Sequence, residues 1–242
     1  MKLVLPLMSL FLAIPALAAG PGDWSSVGRD VGSQRHSPLT QITPGNVAKL
    51  KVVWTHHMNP KYDQSAPTSP RTPGSETTPL VVDGVMYFST PYARVVAMDV
   101  DGGKQVWSYS LPEGEQTPIR GIGYWAGDST HDAAIIFGTS RGRIISLSAK
   151  TGHPTEKFGK NGILETKTPE IMNGFPKAAY RYSSAPTIYK NLIIIGSAVG
   201  EEPQGPACDV RAWDARDGRL VWQFRSVPRT GELGNDTWKS DS

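Results

Sequence analysis

Along this chain of 242 residues the hydrophobic and polar positions alternate with period two in short runs, and the runs come in copies. Val95 to Trp107 reads VVAMDVDGGKQVW, and Val210 to Trp222 reads VRAWDARDGRLVW. In both, apolar residues alternate with others into an aspartate (Asp99, Asp214), an Asp-Gly turn follows (Asp101-Gly102, Asp217-Gly218), and a second run closes on tryptophan. Alternation on either side of a turn whose glycine accepts positive φ, and whose aspartate bonds its own backbone, predicts a β-hairpin. A weaker copy spans Ile144 to Phe158, with Ser148 in the aspartate position, Thr151-Gly152 at the turn and Phe158 in place of tryptophan.

What precedes each copy repeats as well. Thr78 to Thr90, Ala133 to Thr139 and Ala185 to Ser197 each hold a β-branched or apolar run ending at a small residue, in two cases with an Asp-Gly or Lys-Asn turn inside. The unit is therefore four strands recurring every ~50–65 residues, a period near that of kelch-type propeller blades. A β-sandwich with regular turns is the alternative. It does not need the same Asp, Gly and Trp offsets to return.

Composition sharpens this picture. With 38% apolar residues, 25 glycines and 20 prolines, the chain suits a turn-rich all-β protein, and no long helix-period segment interrupts it. Twenty-five basic against 22 acidic residues leave a formal charge of +3 with no basic stripe, which argues against nucleic acid as a partner. The first residues read as a secretory signal: Lys2, an apolar run from Leu3 to Ala13, then Ala16-Leu17-Ala18 at signal-peptidase spacing. Cleavage after Ala18 would leave residues 19–242 as the exported, periplasmic part. A single cysteine, Cys208, excludes an internal disulfide.

Between the signal and the first repeat, Gly20 to Trp54 opens with a polar, glycine-rich stretch. A helical turn is expected over Asn46 to Leu50 after Thr43-Pro44, then a strand over Lys51 to His56 and a Pro/Ser/Thr-rich loop from His57 to Ser75. Two motifs mislead. Gly138-Thr139-Ser140-Arg141-Gly142 fits the hydrolase nucleophile elbow, but a strand pattern and not a helix follows it. Gly121 to Ala126 fits a relaxed dinucleotide fingerprint, again with no helix after it. The five histidines show no ligand spacing.

The segments WSSVGRD, SQRHSPLTQITPGNVAKLKVVW, SETTPLVVDGVMYFST, RGIGYW, GSAVGEE and DVRAWDARDGRLVWQF together resemble the pyrroloquinoline-quinone (PQQ) dependent alcohol and glucose dehydrogenases. The resemblance implies an eight-bladed β-propeller of four-stranded antiparallel blades. Eight blades need about twice this length, so the chain is expected to be a truncated, N-terminal portion of about three blades, inactive by itself.

The resemblance also implies a site. Glu76, in SETTPL, corresponds to a glutamate that hydrogen-bonds the quinone. Arg120, in RGIGYW, corresponds to an arginine that pairs with PQQ, whose carboxylates suit a guanidinium fork. Ser183 corresponds to a hydroxyl at the cofactor edge. Ala198, Val199 and Gly200 correspond to a small-residue turn that admits close backbone approach, and Glu201 to a carboxylate ligand of Ca²⁺. Where methanol-type relatives carry adjacent cysteines, Glu113 to Thr117 stands instead, which points away from that subgroup and towards the glucose-type branch. No residue here matches the family's aspartate base.

The activity so implied is hydride transfer from a sugar or alcohol CH–OH to PQQ, with Ca²⁺ as Lewis acid and ubiquinone or a cytochrome c as acceptor. Any membrane association would then come only through that acceptor. The rival reading is a non-catalytic propeller of the same repeats, acting as a protein-interaction scaffold in the cell envelope. A lipoprotein of that kind needs a cysteine after the signal, where Ala19 and Gly20 stand.

Overall fold

A computed structural model describes residues 20, 22–30, 32–60, 74–201 and 205–238. The expected signal, residues 1–18, lies outside them, as does most of the loop expected before Ser75. Three four-stranded antiparallel sheets follow one another along the chain. The first holds β1 (Leu80–Val82), β2 (Val85–Thr90), β3 (Arg94–Asp99) and β4 (Gln105–Ser110), paired in that order. The second holds β5 (Gly123–Trp125), β6 (Ala134–Gly138), β7 (Arg143–Ser148) and β8 (Ile163–Glu165). After a single helical turn, α1 (Pro169–Met172), and β9 (Tyr180–Arg181), the third begins with β10 (Thr187–Tyr189) and β11 (Leu192–Gly196). Then β12 (Ala198–Val199) leaves to pair with β9, and β13 (Val210–Asp214) and β14 (Leu220–Phe224) complete the sheet.

Each β3-type strand ends in the same turn, which explains the repeated spacing. The N–H of Asp99, Ser148 and Asp214 donates to the carbonyl of Lys104, His153 and Arg219, each over 2.8 Å. The N–H of Gly103, Gly152 and Gly218 returns to the first residue's carbonyl. These three glycines carry φ of 64, 72 and 80°, where a side chain is disfavoured. In the first sheet the left-handed residue is thus Gly103, while Gly102 donates its N–H to the Asp99 carboxylate over 2.6 Å.

The sheets stack face to face. Val95, Ala97 and Trp107 of the first bury against Ile135, Phe137, Ile145 and Leu147 of the second. The other face of the second, with Ala134, Ile136 and Ile144, packs on Ile193, Ile195 and Trp213 of the third. Covered on both sides, β6 is buried at all of its positions, which is why its sequence is a continuous apolar run.

At the first junction the Trp107 indole N–H donates to the Ala149 carbonyl over 2.8 Å. Its ring fills the space over Gly152, where a Cβ would stand 2.6 Å from the indole. Trp54 makes the same contact one sheet earlier: its N–H donates to the Val100 carbonyl over 3.0 Å, and a Cβ on Gly103 would meet it at 2.5 Å.

Three local expectations are corrected. Lys51 to His56 forms no strand; it runs extended with no partner strand among the described residues, pinned by Trp54 and leaving Val52 and Val53 exposed. The helical turn before it is a 3₁₀ turn at Val47–Lys49. Phe158 is not the counterpart of Trp107. It is a buried loop residue, and the fourth strand comes later, at β8, because a loop intervenes and Gly162 stands opposite Ser146.

Candidate cofactor site

Three of the candidate residues occupy the same place in three successive repeats: Glu76 just ahead of β1, Arg120 just ahead of β5 and Ser183 just ahead of β10. Stacking of the sheets brings these lead-in segments together. The Glu76 N–H donates to the Ile119 carbonyl over 3.1 Å, and the Arg120 N–H donates to the Ser183 carbonyl over 3.3 Å. The link from β4 to β5 that carries Arg120 is held along its length. Thr117 donates its hydroxyl to the Thr90 carbonyl, Gln116 donates its N–H to the Ser140 hydroxyl, and Ser89 donates to the Pro118 carbonyl.

Arg120 Nε donates to Glu76 Oε2 over 3.2 Å, with the two side chains 60% and 66% exposed. An ion pair so open contributes at most about 1 kcal/mol to folding. The pair is not explained by stability. The remaining nitrogens of the Arg120 guanidinium have no hydrogen-bond partner among the described residues, leaving a fork suited to a carboxylate. Arg120 also borders a cleft of about 700 Å³ walled by Tyr124, Ser184, Ile188 and, from the N-terminal segment, Asp23 and Arg29. Clefts of roughly 300–1,000 Å³ are the size that takes a small organic molecule.

The second half of the candidate set is arranged differently from expectation. Ala198 and Val199 form strand β12 and not a turn, opposite Arg181 and Tyr180. The backbone pairing with β9 prefers extended geometry there, and ties both residues to the segment that leads to Ser183. Gly200 and Glu201 are exposed beyond the strand end. No cluster of three or more His, Cys, Asp or Glu gathers around Glu201 or elsewhere among the described residues. Calcium takes six to eight oxygen ligands, so these residues alone do not make its site.

Sequence patterning gave no sign of Glu115. Its side chain is fully buried, bonded to the Thr139 hydroxyl and 3.2 Å from Arg143 Nη1, and it anchors the link that ends at Arg120. Its partners lie on the next sheet, so local spacing carried no signal. The two misleading motifs resolve as expected. Ser140 sits in the β6–β7 turn as the acceptor for Gln116, and Gly121 leads into strand β5.

Stacked four-stranded sheets locked at their turns define a partial β-propeller. The family model for PQQ glucose, ethanol and alcohol dehydrogenases, their β-propeller domain, matches residues 24–242, and the chain belongs to this family. It is 36% identical over 216 residues to the dehydrogenase subunit of the quinone alcohol dehydrogenase of Gluconobacter oxydans, covering 86% of this chain and 25% of that one. With the quinohemoprotein alcohol dehydrogenase ADH IIB of Pseudomonas putida it shares 34% identity over 225 residues, 89% of this chain and 28% of the other. Among solved structures, the quinohemoprotein alcohol dehydrogenase from Comamonas testosteroni superposes with a TM-score of 0.66 at 30% identity, over 87% of this chain and 28% of that one. The chain thus spans about a quarter of the length of the curated relatives it matches.

Proposed function

We propose that this chain contributes one wall of the quinone site in a PQQ-dependent dehydrogenase that oxidises the CH–OH group of an alcohol. The observation that carries the reading is the Glu76–Arg120 pair beside the cleft, with part of the guanidinium unpartnered. Alcohol is favoured over sugar because the relatives named above are alcohol dehydrogenases.

The residues fit the organic cofactor. Arg120 would hold a PQQ carboxylate with its free nitrogens while Glu76 keeps the guanidinium plane in position, and Ser183 would offer its hydroxyl at the edge. When bound, PQQ accepts the hydride equivalent from the substrate carbon. Tyr124 and Ile188, from the first strands of adjacent sheets, would exclude water from one side of the cleft. Among the described residues no side chain beside the pair is placed as a general base. These residues by themselves are therefore expected to bind the quinone without turnover.

For the metal, we propose that Glu201 supplies one oxygen of a Ca²⁺ shell whose other ligands lie outside the described residues; no chemical step is derived through it. We place the enzyme in the periplasm, after the signal at residues 1–18, passing electrons to a cytochrome c or ubiquinone. One relative, from Thauera butanivorans, is named 1-butanol dehydrogenase (cytochrome c).

Titrating PQQ against the purified protein tests this. Arg120→Gln should weaken binding about 10- to 100-fold, as loss of one charge-assisted pair of about 1.5–3 kcal/mol requires. Glu76→Gln should weaken it less. Binding unchanged in both variants would leave the scaffold reading in its place.

A further inference from the structure

We infer that the outward face of the third sheet, centred on Trp222, is a docking surface for a further four-stranded repeat that presents the same glycine turn. The chain shows the lock twice. Trp54 closes on Val100 and Gly103, and Trp107 on Ala149 and Gly152, in each case by an indole N–H to the carbonyl that follows the Asp99 or Ser148 position. Trp222 occupies the same register, opposite Ala212 as Trp107 is opposite Ala97. Yet Trp222 is 39% exposed where Trp107 is 8%, and its N–H has no hydrogen-bond partner among the described residues. Strand alternation puts Leu220 and Phe224 on that same face, and they too are exposed, at 42% and 64%. A row of three large apolar side chains ending in an unused donor fits a partner that combines apolar surface with one free carbonyl.

A second copy of this chain cannot supply that carbonyl, because each of its three turns is taken. Trp54 and Trp107 cover the first two. Over Gly218, Leu164 packs at 3.5 Å and the Gly159 N–H donates to the Asp217 carbonyl over 2.9 Å. The occupant must therefore carry a turn of its own, with a glycine in the left-handed region four residues after an aspartate or serine. The matched stretch is 25% of the Gluconobacter oxydans relative, so relatives of this family have length for further repeats.

The probe is the propeller of that relative without its matched stretch, co-expressed with this chain. A one-to-one complex is expected, in which iodide quenching of Trp222, read as the difference from Trp222→Phe, falls about threefold or more on burial. Trp222→Asp should cut recovery of the complex about tenfold, as truncating a central aromatic anchor does, with the circular dichroism of the chain itself unchanged. Trp222→Phe, which keeps a ring and loses the N–H, should fall between. Equal recovery with Trp222→Asp, or unchanged quenching in the complex, overturns the inference. So does failure of a folded probe to associate. A probe that does not fold alone is supplied as a covalent continuation after Ser242, where the same quenching comparison decides. A discrete dimer of this chain alone, abolished by Trp222→Asp, would give the face to a second copy.

Discussion

Asp214 shows how much one position in the repeat can carry. Its carboxylate, 3% exposed, accepts from the Arg216 N–H at 3.0 Å, from Arg216 Nε at 2.8 Å and Nη2 at 2.5 Å, and from Arg219 Nη2 at 3.2 Å. The hydrogen bond from the Arg216 side chain, above all, holds its pKa below the ordinary carboxylate value, against the opposing effect of burial. A depressed native pKa contributes stability that is present above the unfolded-state pKa and lost as pH falls through the native one. Asp214→Asn is therefore expected to lose about 1–2 kcal/mol at pH 7. The gap should close below about pH 4, where the wild-type carboxylate takes up its proton. Urea unfolding of both proteins at neutral and acid pH reads this; a gap that stays constant with pH would assign the loss to packing. The repeat of Asp99 at Asp214 was plain in the sequence. That one aspartate is exposed and serves its turn, while the other gathers two arginines, was not, because the arginines fall on variable positions of the turn.

At the scale of the element, the strands and turns of the first and third sheets were legible because their signals are local: alternation, an aspartate, a glycine at a fixed offset. The second sheet was legible only in part. Its last strand lies beyond a loop, and an apolar Phe158 at roughly the right distance imitated the missing tryptophan. The segment around Trp54 misled in the opposite sense, since its alternation is that of a strand but no described strand lies beside it. The element that joins sheets is the tryptophan lock, and its two halves should separate by mutation. Trp107→Phe keeps the ring and leaves the Ala149 carbonyl without its donor, for a loss of about 1 kcal/mol. Gly152→Ala forces a Cβ into the indole at a φ of 72°, and should lose about 2–4 kcal/mol. Chemical denaturation ranks the two, and a Gly152→Ala loss no larger than that of Trp107→Phe would show that the ring yields freely.

For the whole molecule, sheets that touch only their neighbours make stability uneven along the chain. The same arrangement explains what was legible of the site. The stacking that collects Glu76, Arg120 and Ser183 follows from the repeat, but which lead-in residues meet a ligand came from family resemblance alone, because exposed side chains leave no periodic trace. Glu115, buried across a sheet boundary, left none at all. The gradient itself is measurable. Strand β6 is buried at all of its positions between two sheets, whereas β14 has a single neighbouring strand and three of its large side chains open to solvent. Opening β6 to exchange requires separating both junctions, while β14 can part from β13 at the cost of one strand's pairing. Hydrogen exchange should therefore protect Ala134–Gly138 at least about tenfold, or 1.4 kcal/mol, above Leu220–Phe224. Covering Trp222 with a further repeat should raise protection in Leu220–Phe224 while leaving Ala134–Gly138 almost unchanged, since coupling passes between adjacent sheets and weakens with each one crossed. Equal protection of the two strands before covering would mean that the three sheets open as one unit, with their junctions stronger than the pairing within each sheet.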